Sequence, residues 1–181
     1  MMEQIMKRTM STIGYEGTNI DVFISVLNRN NIELLIDVRD LPLSRKKGFS
    51  KNSLATELQE HGIKYVHLKG LGDPKPGRLA ARSGNYKLFT KIFNNHLKTD
   101  IAIKDLEAAC KLVEAYNSCL MCFECEHEKC HRSIVANAMT KKLSLTIQPL
   151  MCTDNTLNYS QTKQQSYNAR TEWNIRSHST C

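Results

Sequence analysis

Hydrophobic and polar positions along this chain follow two periods, which alternate from the N-terminus to about residue 150. Runs of consecutive or alternating apolar residues are typical of strands, and apolar residues three or four positions apart are typical of amphipathic helices. The clearest strand is the apolar run IELLIDV at 32–38. The clearest helix follows Thr18, a candidate N-cap, and carries Phe23, Ile24 and Leu27 on one stripe.

Strands and helices alternate in the predicted order. We predict strands at 9–14, 32–38, 63–68, 118–123 and 145–150, with helical patterns between them. Such alternation indicates a parallel sheet with right-handed crossovers. We therefore predict an α/β fold: a single Rossmann-like or flavodoxin-like domain over residues 9–150, with a mainly parallel five-stranded sheet and helices on both faces. An N-terminal extension at 1–8 and a polar, flexible C-terminal tail at 151–181 are expected to flank it.

The loops after the strands are where functional residues are expected, because open α/β sheets bind ligands beyond the carboxyl ends of their strands. These loops are 14–18, 39–50, 67–84 and 124–131. The glycine- and proline-rich stretch 69–85 is predicted to be one long loop.

Composition excludes several classes of protein. The 181 residues are 41% hydrophobic, which is enough for one buried core. The N-terminus shows no secretory signal, and no apolar run approaches the roughly 20 residues of a membrane span. We therefore expect a cytoplasmic protein without a membrane partner. Its seven cysteines are then expected to be reduced thiols rather than a disulfide framework.

The net charge of +7 is concentrated in two stretches, 39–51 and 64–91. Basic stretches of this kind are often solvated faces. They also favour phosphate or nucleic acid as a partner, since fixed positive charge attracts the phosphate backbone.

Cysteine, histidine and charged residues are most concentrated in CFECEHEKCHRS at 122–133. The strand period places Cys122 on one face, with Glu124 following it toward the carboxyl end. A helix is predicted to begin near Cys130, where the positive end of its dipole would favour a thiolate. We predict a catalytic set in which one thiol is the nucleophile and a carboxylate or histidine is the acid or base: Cys130, Cys122, Glu124 and His67.

An anion site is predicted from the same helix start and from the loop after the second strand. Arginine forks and unpaired backbone N–H groups stabilise phosphate or carboxylate. The predicted anion-binding residues are Arg39, Ser44, Arg45, His131 and Arg132, with Asp37 beside them. The expected ligand is a small anionic or phosphate-containing molecule. The GxGxxG and GxxxxGK[ST] fingerprints of conventional NAD and ATP sites do not occur.

Four other interpretations of these residues stay open. Zinc or iron could be held by Cys122, Cys125, Cys130 and His131, although structural zinc sites usually use two separated pairs. The same three cysteines could instead form a redox site. The basic loops could instead define a nucleic-acid-binding or regulatory module. The cysteines could also be filler in a tight turn, with Glu124 paired to an arginine. The pattern leaves open whether the protein is an enzyme.

Four blocks of the sequence together resemble the family known as domain of unknown function 488 (DUF488). They are TIGYEG, IDVRDLPLSRKKGFSK, LATELQEHGIKYVHLKGLG and CFECEHEKCHRSIVA, and they cover about residues 11–140. The resemblance implies a compact α/β domain of a bacterial-type cytosolic protein. It supplies no reaction.

The residues that match the family's pattern are those selected above, together with Leu68. They are Asp37, Arg39, Ser44, Arg45, His67, Leu68, Cys122, Glu124, Cys130, His131 and Arg132. Cys125 and His127 lie outside the pattern, as does the polar tail.

Overall fold

Five parallel strands form one sheet in the computed structural model, which describes residues 8–152. The strands are β1 (Arg8–Gly14), β2 (Leu34–Asp37), β3 (Lys64–His67), β4 (Ser118–Cys122) and β5 (Leu145–Leu150). Their order across the sheet is β3-β2-β4-β1-β5, and every neighbouring pair is parallel. The predicted α/β fold is confirmed.

Six helices cover the two faces of the sheet. They are α1 (Ile20–Arg29), α2 (Lys51–Glu60), α3 (Lys75–Arg82), α4 (Tyr86–His96), α5 (Asp100–Ala115) and α6 (His131–Thr140). Helices α1 and α2 pack on one face, and α3 to α6 pack on the other. This division follows from right-handed crossovers, since connections that run in opposite directions along the sheet pass over opposite faces.

The central strands are buried on both sides, which explains their continuous apolar sequences. In β2, Leu34 and Ile36 belong to the core under α3 to α6, whereas Leu35 belongs to the core under α1 and α2. The same alternation in β4 puts Cys122 toward the α3–α6 side and Cys119 on the opposite side.

Strands β2 and β4 are neighbours whose outgoing connections run in opposite directions. From β2 the chain passes through α2 to β3 at one edge, and from β4 it passes through α6 to β5 at the other. Their carboxyl ends are level, because Asp37 is paired with Met121. Diverging connections leave a crevice between the two loops, and α/β proteins commonly bind ligands there.

Two local predictions were wrong. The stretch 69–85 is not one long loop, because it contains a 3-10 turn at Lys69–Leu71 and all of α3. Proline in the first turn of a helix costs no hydrogen bond. Pro76, which lies in the first turn of α3, is therefore compatible with a helix there. The N-cap of α1 is Asn19, whose side chain accepts from the Val22 N–H, and not Thr18.

The termini fall largely outside the described residues, including nearly all of the predicted extension and tail. None of the helices between residues 8 and 152 is both long and apolar enough to cross a bilayer.

Candidate functional site

The end of β4 and the start of α6 bring two thiols and an imidazole together. Cys122 is the last residue of β4, Cys130 is the N-cap of α6, and His131 is the first residue of that helix. All three side chains are buried, and Cys130 is only 1% exposed. The loop between β4 and α6 begins and ends near the carboxyl ends of the strands. Residues 122–131 therefore bring the three side chains to one place.

Glu124 completes this cluster from the loop. Its Oε2 atom lies 3.0 Å from the Cys122 Sγ and 3.1 Å from the Cys130 Sγ. The His131 Nδ1 lies 3.6 Å from the Cys122 Sγ and 3.8 Å from the Cys130 Sγ. One ligand-type atom from each of the four residues lies within 4.8 Å of the other three. We call these four residues the Cys-His-Glu cluster.

The His131 ring is held in one orientation by a residue from the other side of the crevice. Its Nε2 lies 2.8 Å from the Val38 carbonyl oxygen, just beyond the end of β2. A carbonyl only accepts, so Nε2 carries the hydrogen and Nδ1, in the neutral ring, presents a lone pair to the two sulfurs. Phe93 of α4 packs against the ring, with centroids 5.2 Å apart.

Arg132 fixes the loop that carries Glu124. Its Nη1 donates to the Glu124 carbonyl and its Nη2 to the Cys125 carbonyl at 2.9 Å, and the side chain is 1% exposed. The loop also crosses Gly14, where a Cβ atom would overlap the Glu124 carbonyl oxygen. Glycine is therefore required at the end of β1 for this close approach.

The charges within the cluster depend on one another. Burial alone would raise the pKa of Cys130, but the hydrogen bond from Cys122 and the charge on His131 hold it well below its ordinary value. Burial alone would lower the pKa of His131, but the Cys130 thiolate and the Val38 carbonyl raise it to about 9. Burial, followed by the nearby Cys130 charge, raises the pKa of Glu124. These shifts favour a Cys130 thiolate paired with a protonated His131 ring, beside the Glu124 carboxyl group.

Arg39 is buried in a network of internal partners. Its Nη2 lies 2.6 Å from the Asp37 Oδ2, and its Nη1 donates to the Tyr15 hydroxyl at 3.0 Å and to the Phe49 carbonyl at 2.9 Å. The Tyr65 hydroxyl donates to the same Asp37 oxygen at 2.7 Å. Through Asp37, Arg39 thus connects residues after β1, at the end of β2 and within β3, and each of its guanidinium nitrogens has a partner.

The other predicted residues lie around this network rather than in the cluster. The His67 Nε2 lies 2.7 Å from the Arg39 carbonyl oxygen, which fixes the backbone after β2. The Ser44 Oγ accepts from the Lys46 N–H at 3.1 Å within the loop. Arg45 is exposed on the same loop. The structure therefore does not bring Arg39, Arg45 and Arg132 together around one free hollow.

Cys125 is also outside the cluster. Its backbone N–H donates to the Glu16 Oε2 at 3.1 Å, and its half-buried side chain is not among the four grouped ligand atoms. Glu124 takes the position that the sequence analysis gave to Cys125. Glu124 and Cys122 share a strand face, which is the sequence signal for their proximity.

Asp73 is a residue that the sequence analysis missed. It lies before α3, is 5% exposed, and its Oδ1 has no hydrogen-bond partner among the described residues. Burial raises the pKa of Asp73 to about 6, although the charges of His131 and Arg78 act in the opposite direction. The carboxylate packs so closely on Gly77 that a Cβ there would overlap it. In the sequence, Asp73 stands out only as the single acidic residue of the basic stretch 64–91.

Comparison with known proteins identifies the family. Residues 19–139, which include the cluster and most of the Arg39 network, match the sequence profile of the domain of unknown function DUF488. No curated protein and no solved structure matches the chain significantly. The match covers strands β2, β3 and β4 and the whole Cys-His-Glu cluster, and it leaves out β1 and β5. The chain therefore belongs to the DUF488 family.

Proposed function

We propose that this DUF488 protein binds one divalent metal ion of the zinc class through Cys122, Glu124, Cys130 and His131. The observation that carries the proposal is that four ligand atoms of suitable chemistry converge within 4.8 Å. Two thiolates and one imidazole favour borderline-soft metals, so zinc is the first candidate and ferrous iron the second.

The distances within the cluster support a tetrahedral ion. Ligand atoms about 2.0–2.3 Å from zinc lie about 3.5 Å apart at tetrahedral angles. The two sulfur-to-nitrogen distances, 3.6 and 3.8 Å, are close to that separation. The two sulfur-to-oxygen distances, 3.0 and 3.1 Å, are hydrogen-bond lengths and need only a small outward shift of Glu124.

The surroundings of the cluster have the features of a metal site. A metal-binding histidine usually donates its second ring N–H to a carbonyl or carboxylate, as His131 does to Val38. Zinc binds the thiolate form, which Cys130 already favours. The pKa values of Cys122, Glu124 and His131 are raised, so metal binding at these groups would release protons. Burial of the sulfurs argues against Cys130 as a freely accessible nucleophile.

Glu124 is the ligand that we expect to exchange. It is half-buried, whereas the other three side chains are buried, and it comes from a loop rather than from a strand or helix end. Its departure would open a coordination position of the kind that catalytic metal sites keep for water or substrate. The small anionic ligand predicted from the sequence would then bind at the metal. The donors of Arg39 and the two Nη atoms of Arg132 are already bonded within the protein, which gives less support to anion binding between arginines; the buried Arg132 Nε has no partner among residues 8–152.

Metal analysis of variants tests the proposal. We expect full-length protein, purified without added metal and dialysed, to contain about one zinc or iron per chain by mass spectrometry. Cys122→Ser and Cys130→Ser should each lose most of it, because removal of one thiolate leaves an incomplete shell. His131→Gln should lose it as well.

Cys125→Ser is the matched control, since this thiol belongs to the same loop but not to the cluster. It should keep the parent metal content. Metal-free parent protein that also fails to take up zinc, cobalt or ferrous iron would refute the proposal. A Cys125 variant as depleted as the Cys122 variant would refute the ligand assignment.

A further inference from the structure

Helices α3 and α4 carry positive charge and have no acidic residue of their own. From Pro74 to Thr99 the sequence contains no Asp or Glu. The two helices are joined by Ser83–Asn85 and pack against each other. We call residues 75–98 the basic hairpin; its cations are Lys75, Arg78, Arg82, Lys87, Lys91 and Lys98.

The cations on each helix share a side. Lys75, Arg78 and Arg82 are spaced three and four positions apart on α3, and Lys87 and Lys91 are four apart on α4. All except Arg78 are exposed; Arg78 pairs with Asp40 at 2.6 Å. The structure therefore presents two short rows of charge on neighbouring helices.

An exposed aromatic residue adjoins these cations in the sequence. Tyr86, the first residue of α4, is 43% exposed, and it lies beside Lys87 at the positive end of the α4 dipole. Exposed rings among cations are the elements from which single-stranded nucleic-acid sites are built, because an unpaired base stacks on the ring while the cations contact phosphates.

We propose that the basic hairpin binds single-stranded nucleic acid through its phosphate backbone, with Tyr86 stacking on a base. The contacts are with phosphates and a base face, so binding is not sequence-specific. The proposal concerns a surface outside the Cys-His-Glu cluster and does not depend on metal binding there.

An anionic membrane is the competing partner for such a surface, and the hairpin fits it less well. Membrane-bound helices need a continuous exposed apolar face. In α4 the apolar residues Phe89 and Phe93 are buried in the core. Leu79 and Leu88 are exposed singly, at 56% and 44%.

Fluorescence anisotropy with the full-length protein and a labelled single-stranded DNA of mixed sequence tests the proposal. Binding should weaken as salt is added, with log Kd rising linearly with the logarithm of the salt concentration. The triple variant Arg82→Gln, Lys87→Gln, Lys91→Gln should reduce this slope by about 2, because each lost phosphate contact contributes about 0.7 to the slope on a single strand. Tyr86→Ala should weaken binding and leave the slope unchanged.

Lys104→Gln with Lys111→Gln is the matched control, because both lysines are exposed on α5 outside the hairpin. This double variant should bind like the parent. Circular dichroism should show that every variant is folded. Absence of DNA binding would overturn the proposal, as would a triple variant that binds like the parent. Tighter binding to phosphatidylserine vesicles, lost in Leu79→Ser with Leu88→Ser, would also overturn it.

Discussion

At the scale of single residues, the site depends on which buried polar groups have partners. Each sulfur and the imidazole of the Cys-His-Glu cluster has a neighbour of complementary chemistry. The Oδ1 of Asp73 has none among residues 8–152, although its side chain is almost fully buried. An ionised carboxylate in that position costs folding free energy, so its pKa is raised.

This imbalance predicts a stabilising substitution. Because the folded pKa of Asp73 is about 6 and its reference value is 3.8, folding favours the protonated form. The advantage is complete below the reference value and is lost as pH rises through 6. In metal-free protein, Asp73→Asn should therefore raise the free energy of unfolding by about 2–3 kcal/mol at pH 8.

Urea denaturation at several pH values would measure this effect. The gain should shrink steadily as pH falls from 8 toward 4, because the parent side chain becomes neutral as well. A gain of equal size at both ends of that range would show that ionisation of Asp73 is not its cause.

At the scale of elements, the site is a strand, a loop and a helix start held at fixed spacing. Arg132 maintains much of this spacing, because its fork bonds the two carbonyls of the Glu124–Cys125 loop. Ligand-bearing loops need such support to keep their geometry.

Replacing Arg132 should therefore weaken metal binding without removing a ligand. We expect Arg132→Gln to lower zinc affinity by about 10- to 100-fold in a chelator competition, the range for loss of a supporting contact. Lys129→Gln is the control, since its ion pair with Glu126 is exposed on the same loop. Equal zinc affinities of the parent and of Arg132→Gln would show that Arg132 does not support the metal site.

The local parts of this element could be predicted from the sequence, and its distant partners could not. Strand alternation placed Cys122 and Glu124 on one face, and helix signals placed Cys130 and His131 at a helix start. Nothing local indicates that Val38 orients His131, because that contact exists only when β4 lies beside β2. The sequence also did not show that Arg39 and Arg132 are buried and bonded to neighbouring groups, since a local pattern does not distinguish a buried arginine from an exposed one; their anion binding stays a prediction.

The basic stretch 64–91 shows the same limit of local signals. Its glycines and prolines predicted a loop, yet Pro76 lies within the first turn of α3. Proline is compatible with a helix start and with a loop, so its presence alone does not separate the two. In the structure, Ala80 of α3 is buried in the core and α3 packs against α4, contacts that the local sequence does not indicate.

At the scale of the whole molecule, the buried Asp37–Arg39 pair connects side chains from β2, from β3 and from just after β1. Asp37 is the last residue of β2 and pairs with Arg39, Tyr15 lies just after β1, and Tyr65 belongs to β3. Burial and the charge of Asp37 raise the pKa of Tyr65, which keeps its hydroxyl a donor. The strand ends beside the site are thus tied together by charge as well as by strand pairing.

Breaking this pair should destabilise the whole domain. Asp37→Asn leaves the Arg39 charge buried and unbalanced, so we expect a loss of about 3–5 kcal/mol in the free energy of unfolding. Asp40→Asn breaks the half-exposed pair with Arg78 and should cost about 1 kcal/mol or less. Similar losses for the two variants in urea denaturation would contradict the structural role given to Asp37.

X-ray absorption spectroscopy of the zinc-loaded, full-length protein tests the central claim most directly, because it counts the atoms around the metal. The account predicts two sulfur atoms at about 2.3 Å and two nitrogen or oxygen atoms at about 2.0–2.2 Å. The Cys130→Ser variant, if it retains zinc, should show one sulfur. A shell of three or more sulfurs, or a shell of nitrogen and oxygen only, would contradict the Cys-His-Glu assignment.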